Sequence, residues 1–226
     1  MFVAIPPRNR HQTSWVTPLL VMLMCGSFVW SQSLSTQAQQ NWLLDWGTVG
    51  IPLDPAMGLP PWQHWLKLFT ALFLHSDWAH LTGNLVFLMI FGPPAERMMG
   101  SWRFLALFLL GGATANLAAG ISLVHGNVLI GASGAVSATL GAWLTLFPRA
   151  RLGVVVPLGL FLEFIRAPAT VLIGLWLLLQ AIFAYIGPSY GQVAWVAHLA
   201  GFAFGALYAL LSRNAIAERM RKKAGY

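Results

Sequence analysis

The chain of 226 residues is 58% hydrophobic and only 8% charged, and its mean hydropathy is +0.68. Soluble domains carry about 25% charged residues, so this composition excludes an ordinary soluble protein and predicts an integral membrane protein. Apolar runs of about 16–21 residues fit transmembrane helices and not the short alternating strands of a barrel. We therefore predict an all-α membrane protein.

The apolar runs, taken in chain order, predict a six-helix transmembrane bundle. The first run follows Arg8 and Arg10, as in a signal peptide, but it lacks a convincing small-residue cleavage site, so we expect a retained helix. The expected organisation is an N-terminal tail (1–14), a six-helix membrane domain (15–212) and a basic C-terminal tail (213–226). The six predicted spans are Trp15–Trp30, Leu81–Ala95, Phe104–Val124, Ser133–Phe147, Thr170–Ile186 and Val193–Leu211.

The net charge is +7, and its distribution along the chain predicts a topology rather than a nucleic-acid partner. With six spans and the N-terminus inside, twelve of the thirteen Lys and Arg residues lie on the inner side, and Lys67 is the exception. Basic residues mark cytoplasmic segments, so both termini are expected in the cytoplasm. The plasma (inner) membrane of a bacterium is the expected location.

Two segments between the predicted spans have a distinct composition. Ser31–Lys67 is rich first in Ser and Gln and then in Trp and Pro. It is predicted to form a long outer loop between helices 1 and 2, resting among the headgroups, where Trp is enriched. Val154–Ile165 is apolar, interrupted by Pro157 and too short to span, which predicts a re-entrant or surface-lying segment.

Four polar side chains from three predicted helices occupy one depth. Measured along the helix axis from the basic residue at the inner end of each run, Ser133 lies roughly 24 Å and His198 roughly 22 Å toward the outer face. His80 and Asn84 share one helix face. Measured in the same way, they lie roughly 25 and 20 Å from the inner end of their helix. Polar groups inside a membrane are costly and usually face a bundle interior or a cavity, so these four are predicted to converge.

These residue types fit acyl transfer by a serine nucleophile. Ser133 needs a neutral imidazole within hydrogen-bond reach, and His198 suits that role. His80, Asn84 and the backbone around Ser133 are candidate donors to an oxyanion, and Gly131 permits a close approach of the chain. None of the six Asp and Glu residues falls within a span beside His198, so we predict a Ser–His dyad.

Structural roles compete with this interpretation. Ser133, in a Gly-Ala-Ser-Gly-Ala stretch, could be part of a small-residue packing face, and Gly201–Gly205 is predicted to be such a face. Asn116 and Gln180 are most simply interhelical hydrogen-bond partners. The catalytic interpretation is favoured because four groups coincide in depth and in type.

Four sequence blocks also match, in order, a known pattern over about residues 66–211: His75-x4-His80-x3-Asn84, Gly92-Pro-Pro-Ala-Glu96-Arg97, Gly131-Ala-Ser133-Gly134 and Ala197-His198-x2-Gly201-x3-Gly205. With these blocks the chain resembles the rhomboid family of intramembrane serine proteases. The resemblance implies Ser133 as nucleophile and His198 as general base, and an oxyanion site of His80, Asn84 and the backbone near Gly131.

The same resemblance implies a substrate and its route of entry. The substrate would be a single-pass transmembrane protein, cut near the outer end of its helix. The enzyme would be a bundle with a hydrophilic cavity open to the outside, and the fifth helix with a loop would act as the gate. Membrane lipid is the other expected partner, and no cofactor, metal or nucleic acid is expected.

Two positions depart from the pattern of the family. Ser137 stands four residues after the serine, where some members have a tyrosine that stacks on the histidine. Close helix packing at Gly201 and Gly205 is expected to hold the histidine instead. Leu66 and Lys67 stand where some members have a Trp-Arg pair, and this difference concerns the anchoring of the outer loop.

Two other functions are open on the sequence. A proteolytically inactive rhomboid-like protein would bind transmembrane clients without cutting them, although a pure binder has no need of Ser133, His198 and Asn84 together. A small transporter or metal permease would use His75, His80 and His198. The spans lack carboxylates and internal repeats, however, and zinc requires a fourth ligand.

Overall fold

The computed structural model describes residues 14–50, 62–122, 127–158, 161–186 and 195–224, and its main element is the α-helix. The predicted ends Val124 and Val193 of two spans lie outside these ranges, as does most of the N-terminal tail. The helices are α1 (Val16–Gln32), α2 (Thr36–Trp46), α3 (Trp62–Thr70), α4 (Trp78–Met99), α5 (Ser101–Ser122), α6 (Ser133–Leu146), α7 (Ala169–Ile186), α8 (Trp195–Leu211) and α9 (Arg213–Ala224). A short 3-10 helix is Ala71–Phe73, and the strands are β1 (Thr48–Val49), β2 (Val128–Leu129), β3 (Arg151–Leu158) and β4 (Phe161–Pro168).

Each of the six predicted spans falls on a helix, namely α1, α4, α5, α6, α7 or α8. Ser101–Ile121 of α5 and Ala169–Ile186 of α7 are each long and apolar enough to cross a membrane. Helices α8 and α9 meet the same criterion together, with a bend of 54° between them, and α1 is apolar but shorter. The described chain thus has two such helices, or three when the bent pair counts as one span, as befits an integral membrane protein.

Helix α6 lies at the centre of the bundle, where it contacts α4, α5 and α8. Its residues are buried without interruption from Gly134 to Trp143, and most of them are Gly, Ala, Ser or Thr. Small side chains let neighbouring helices approach until their backbones touch, which is how helices associate where no water drives them together. The composition of α6 therefore explains its central position.

Helices α6 and α8 meet at two glycines of α8. Gly201 lies against the carbonyl oxygen of Gly134, and Gly205 lies against that of Ala138. A Cβ atom at either position would overlap the oxygen opposite it, so only glycine fits there. The prediction that Gly201–Gly205 forms a packing face is confirmed.

A buried carboxylate joins three helices at one end of the bundle. Glu96, near the end of α4, accepts hydrogen bonds from the amides of Val16 and Thr17 at 3.0 and 2.9 Å. The hydroxyls of Thr17 and Ser101 each donate to it at 2.7 Å. The two amides lie in the first turn of α1, where they lack intrahelical acceptors and favour a negative charge. Because Glu96 is only 1% exposed, these four bonds compensate the burial of its charge.

The segment predicted as a long outer loop contains regular structure. It includes α2, β1 and the start of α3, and residues 51–61 lie outside the described ranges. Lys67 Nζ donates to the Leu44 carbonyl oxygen at 2.9 Å, and the Thr70 hydroxyl donates to that of Trp46 at 2.7 Å. Strand β1 pairs with β2, just before α6. The segment is thus anchored by Lys67 and Thr70 and lies against the turn that leads into α6.

Val154–Ile165, which is predicted to be a re-entrant or surface-lying segment, lies in a pair of strands. The backbone there is an antiparallel hairpin of β3 and β4, whose register runs from Arg151↔Pro168 to Leu158↔Phe161. The Ala169 amide donates to the Ala150 carbonyl oxygen at 2.9 Å and closes the base of the hairpin. The run of three β-branched valines that begins at Val154 favours a strand, and a paired strand satisfies its backbone without a helix.

Gly205→Ala is expected to lower the stability of the bundle by about 1–3 kcal/mol, because the added methyl group forces α6 and α8 apart. Thermal unfolding in detergent micelles measures the effect. Gly174→Ala in α7 is the matched control, since nothing lies within 4 Å of its added Cβ. Alanine is the better helix former, so the control should be neutral or stabilising. Equal stability of the two variants would contradict the close contact.

Glu96→Gln is expected to lower the free energy of unfolding by at least about 2 kcal/mol, because an amide group cannot accept all four hydrogen bonds and leaves buried donors unpaired. The same unfolding experiment measures it. Glu218→Gln is the control, since Glu218 pairs with Lys222 on α9 and both side chains are exposed. A shift no larger than that of the control would show that the carboxylate does not hold the three helices.

Candidate active site

Ser133 is the first residue of α6, and Gly131 shapes the turn that precedes it. The φ angle of Gly131 is 111°, a backbone conformation that residues with a side chain rarely adopt. Its amide donates to the Ala71 carbonyl oxygen at 2.8 Å, which ties the turn to the 3-10 helix. This amide is therefore already occupied. The amide of Ser133 belongs to the first turn of α6, where no intrahelical acceptor exists.

His198 lies in the first turn of α8 and is 8% exposed. Its Nδ1 is 2.7 Å from Oε1 of Gln180 in α7, and both side chains are buried. The amide oxygen accepts, so Nδ1 carries the hydrogen and Nε2 has the lone pair. The indole of Trp176 stacks on the imidazole, with ring centroids 6.0 Å apart. Helix α7 thus holds the ring, in addition to the packing expected at the glycines of α8.

The contact between α6 and α8 brings Ser133 and His198 to one level of the bundle. Gly134, next to the serine, contacts Gly201, three residues after the histidine. A Cβ on Gly134 would also lie 3.8 Å from the Ala197 carbonyl oxygen. Nε2 of His198 is buried and has no hydrogen-bond partner within the described ranges. A ring nitrogen with a lone pair therefore lies across the helix interface from the turn of the serine.

His80 lies in the first turn of α4, which Asp77 caps. The Asp77 carboxylate accepts hydrogen bonds from the Ser76 hydroxyl at 2.7 Å and from the His80 amide at 2.9 Å. These two bonds, that of Ser76 first, keep the pKa of Asp77 below its usual value, so the carboxylate is ionised at neutral pH. Because the one hydrogen of Ser76 is donated to Asp77, Nδ1 of His80 donates to the Ser76 oxygen, 3.2 Å away.

The other ring nitrogen of His80 lies beside the turn that leads to the serine. A Cβ on Gly131 would contact Nε2 and would lie 2.6 Å from Cε1. With the hydrogen on Nδ1, Nε2 of the neutral ring is an acceptor, and it donates only when the ring is protonated. Asn84, one turn further along α4, is 6% exposed and donates to the His80 carbonyl oxygen at 3.0 Å. Of His80 and Asn84, it is therefore Asn84 that offers a donor without carrying a charge, through the second hydrogen of its amide.

His75 lies in the segment between the 3-10 helix and α4, and its ring packs edge-on against His80 with centroids 5.1 Å apart. The side chain is 1% exposed, and burial, together with the nearby His80, lowers the pKa of His75 to about 4. The ring is therefore neutral at pH 7. Within the part of the chain that the structure describes, no three His, Cys, Asp or Glu side chains are grouped to hold a metal ion.

Two interhelical hydrogen-bond partners were predicted correctly. Asn116 donates to the Leu68 carbonyl oxygen at 2.8 Å, and Gln180 bonds to His198, so both predictions are confirmed. That Gln180 pairs with the histidine follows only from the packing of α7 on α8. Ser76 was missed altogether, although Ser-Asp before an apolar run is a recognisable helix start.

Comparison with known proteins agrees with the resemblance. A family model described as the Rhomboid domain matches residues 62–215. The chain is 29% identical over 191 residues to rhomboid protease GlpG of Serratia proteamaculans (strain 568), which is 84% of this chain and 60% of that protein. It is 40% identical over 80 residues to rhomboid protease GluP of Bacillus subtilis (strain 168), covering 35% of this chain and 15% of GluP.

A plant relative matches a shorter segment. Rhomboid-like protein 11, chloroplastic, of Arabidopsis thaliana is 42% identical over 72 residues, which is 32% of this chain and 26% of that protein. In all three cases the match covers less than two thirds of the relative's own length. The family model, by contrast, spans more than half of this chain. The chain therefore belongs to the rhomboid family.

Proposed function

We propose that this protein is an intramembrane serine endopeptidase that cleaves transmembrane helices near the outer face of the membrane. The rhomboid family typically consists of intramembrane serine proteases, and two of the relatives are named as proteases. Ser133 is the proposed nucleophile and His198 the proposed general base. The contact of Gly134 with Gly201 carries the proposal, because it sets the turn of the serine opposite the histidine.

The proposed reaction is acyl transfer in two stages. The Ser133 hydroxyl oxygen attacks the scissile carbonyl carbon while Nε2 of His198 takes its proton. The resulting imidazolium then gives that proton to the leaving amine, and the peptide C–N bond breaks. Water attacks the acyl-enzyme in the same way, with His198 again as the base, and releases the serine.

The oxyanion of the tetrahedral intermediate is proposed to lie near the start of α6. The Ser133 amide and the second amide hydrogen of Asn84 are the uncharged donors, and the dipole of α6 favours a negative charge there. His80 adds a donor at Nε2 when its ring is protonated. Gly131 is proposed to hold the turn and to make room for His80, since its amide is taken by Ala71.

We also propose the six-span topology for the whole membrane domain (15–212), with the tails 1–14 and 213–226 in the cytoplasm. The site would then open toward the outer face of a bacterial plasma membrane. The distribution of basic residues supports this orientation, and α9 presents several of them. The proposed substrates are single-pass transmembrane proteins embedded in lipid, since α7 exposes an apolar face: Val171, Leu175, Leu178, Leu179 and Ile182.

Ser133→Ala and His198→Ala are each expected to abolish cleavage of a model single-pass substrate in liposomes, because the first removes the nucleophile and the second its base. Gels and mass spectrometry of the products measure the cut, which is expected near the outer end of the substrate helix. Ser137→Ala and His64→Ala are the matched controls. The Ser137 hydroxyl donates only to the Ser133 carbonyl oxygen within α6, and His64 lies in α3, so both should keep activity.

Cleavage by His198→Ala at the wild-type rate would refute the dyad. A folded wild type that cuts no substrate, and whose Ser133 resists a fluorophosphonate probe, would favour a proteolytically inactive protein that binds transmembrane clients. Labelling of the wild type but not of Ser133→Ala would support an activated serine even before a substrate is known.

Asn84→Ala is expected to slow turnover by about 10²–10³, because one donor to the oxyanion is lost. Single-turnover cleavage of the same substrate measures the rate. Asn41→Ala, which removes an exposed amide from α2, is the control and should leave the rate unchanged. A wild-type rate in Asn84→Ala would contradict a role for Asn84 as an oxyanion donor and would leave the Ser133 amide as the uncharged donor.

A further inference from the structure

We infer that Gln180 is a positioning residue for the histidine of the proposed dyad and takes the place of the third, acidic member of a triad. The inference rests on the proposed function. Its side-chain carbonyl oxygen lies 2.7 Å from Nδ1 of His198. Gln180 and His198 are 6% and 8% exposed, so water does not compete for this bond.

The bond selects one tautomer of the imidazole. A neutral imidazole carries one hydrogen, and an acceptor at Nδ1 keeps that hydrogen there and the lone pair at Nε2. A base for Ser133 must present this lone pair, and Nε2 is the ring nitrogen without a partner in the described ranges. If Nε2 carried the hydrogen instead, it would have no lone pair, and the serine would have no base.

The same bond strengthens as the reaction proceeds. When Nε2 takes the proton of Ser133, the Nδ1–H group belongs to a cation, and hydrogen bonds from cations are stronger than neutral ones. Gln180 therefore stabilises the imidazolium without being charged itself. No Asp or Glu in the described ranges is hydrogen-bonded or ion-paired to His198, so the amide is the group that fills this position.

Helix α7 is built to keep the amide in place. Trp176 and Gln180 are four residues apart and share one helix face, the one directed at α8. The indole stacks on the imidazole at 6.0 Å, while the amide holds its edge. Two contacts fix the plane of the ring and the identity of its protonated nitrogen. The ring is thus held without the tyrosine that some family members have four residues after the serine. This explains why Ser137 can occupy that position.

The test compares Gln180→Leu, Gln180→Glu and the wild type for kcat, KM and the pH dependence of kcat/KM on a model single-pass substrate. Gln180→Leu should lower kcat about 10- to 100-fold and leave KM unchanged, because the variant loses one hydrogen bond to the cation that develops on the imidazole. Gln180→Glu keeps the acceptor and should restore activity above neutral pH. Its carboxylate favours the imidazolium, so the neutral base is lost at a higher pH and the acidic limb moves upward.

One control variant separates positioning from a merely structural role. Asn116→Leu breaks another buried interhelical amide bond, away from His198, and should lower stability without moving the pH profile. The titratable group that interacts with His198 from a neighbouring helix is His80 in α4, and it is the same in every variant. A wild-type kcat in Gln180→Leu would overturn the inference. The inference would also be overturned if both Gln180 variants lost activity only in proportion to their loss of stability and kept the wild-type pH profile.

A measurement that needs no cleavage keeps this inference separate from the proposed function. Nitrogen NMR of protein labelled at histidine reports which ring nitrogen of His198 carries the hydrogen. The Nδ1–H form should dominate in the wild type and in Asn116→Leu, and Gln180→Leu should give a mixture. A dominant Nε2–H form in the wild type would overturn the inference. Wild-type protein with the Nδ1–H form but no cleavage dependent on Ser133 would instead refute the protease.

Discussion

The direct contact of the α6 and α8 backbones is the constraint on which the rest of the molecule depends. Gly201 and Gly205 lie against carbonyl oxygens of α6, so the two helices cannot slide or rotate without overlap. This contact sets the level of Gly134 relative to Ala197, and therefore the level of the candidate nucleophile relative to its base. In lipid, where apolar side chains gain little by meeting each other, such close packing of backbones is one source of helix association, beside interhelical hydrogen bonds.

Many buried polar groups of the bundle are paired, and those without a partner in the described ranges include both ring nitrogens of His75, the indole nitrogens of Trp143 and Trp195, and Nε2 of His198. Glu96 has four donors, Asn116 has a carbonyl oxygen, and Thr139 donates to the carbonyl of its own preceding turn. Unpaired polar groups are costly in an apolar interior, so this pattern is expected. Nε2 of His198 is buried without a partner in the described ranges, while its Nδ1 is firmly held. An unsatisfied acceptor on a fixed ring is what a general base requires before substrate binds.

Helix α7 combines a largely exposed apolar surface with contacts to the candidate base. Most of its surface is apolar and exposed, as suits lipid or an incoming transmembrane helix, and only Ala169, Ile173 and Gln180 are buried. Yet Gln180 and Trp176 of this helix both contact the His198 ring. A helix with few buried residues therefore contacts the candidate base, so the geometry of the candidate site depends on where α7 rests against α8.

Most of the helical framework could be predicted from the sequence, because hydrophobic length and the spacing of charges are properties of a single segment. The depth argument that singled out Ser133 and His198 needs only a rise per residue and two basic anchors. The hairpin of β3 and β4 could not be predicted, because a strand satisfies its backbone through a partner elsewhere in the chain. The sequence showed that Val154–Ile165 was unusual but not what it would pair with.

Composition and pattern by themselves determined the membrane class, the family and the identity of the candidate nucleophile and base. The tertiary structure decided how each polar group is used. It assigned the Gly131 amide to Ala71, the Ser76 hydrogen to Asp77 and the Gln180 oxygen to His198. A hydrogen bond is short and directional, so its partner depends on the packing of helices that are distant in the chain. No spacing along one helix contains that information.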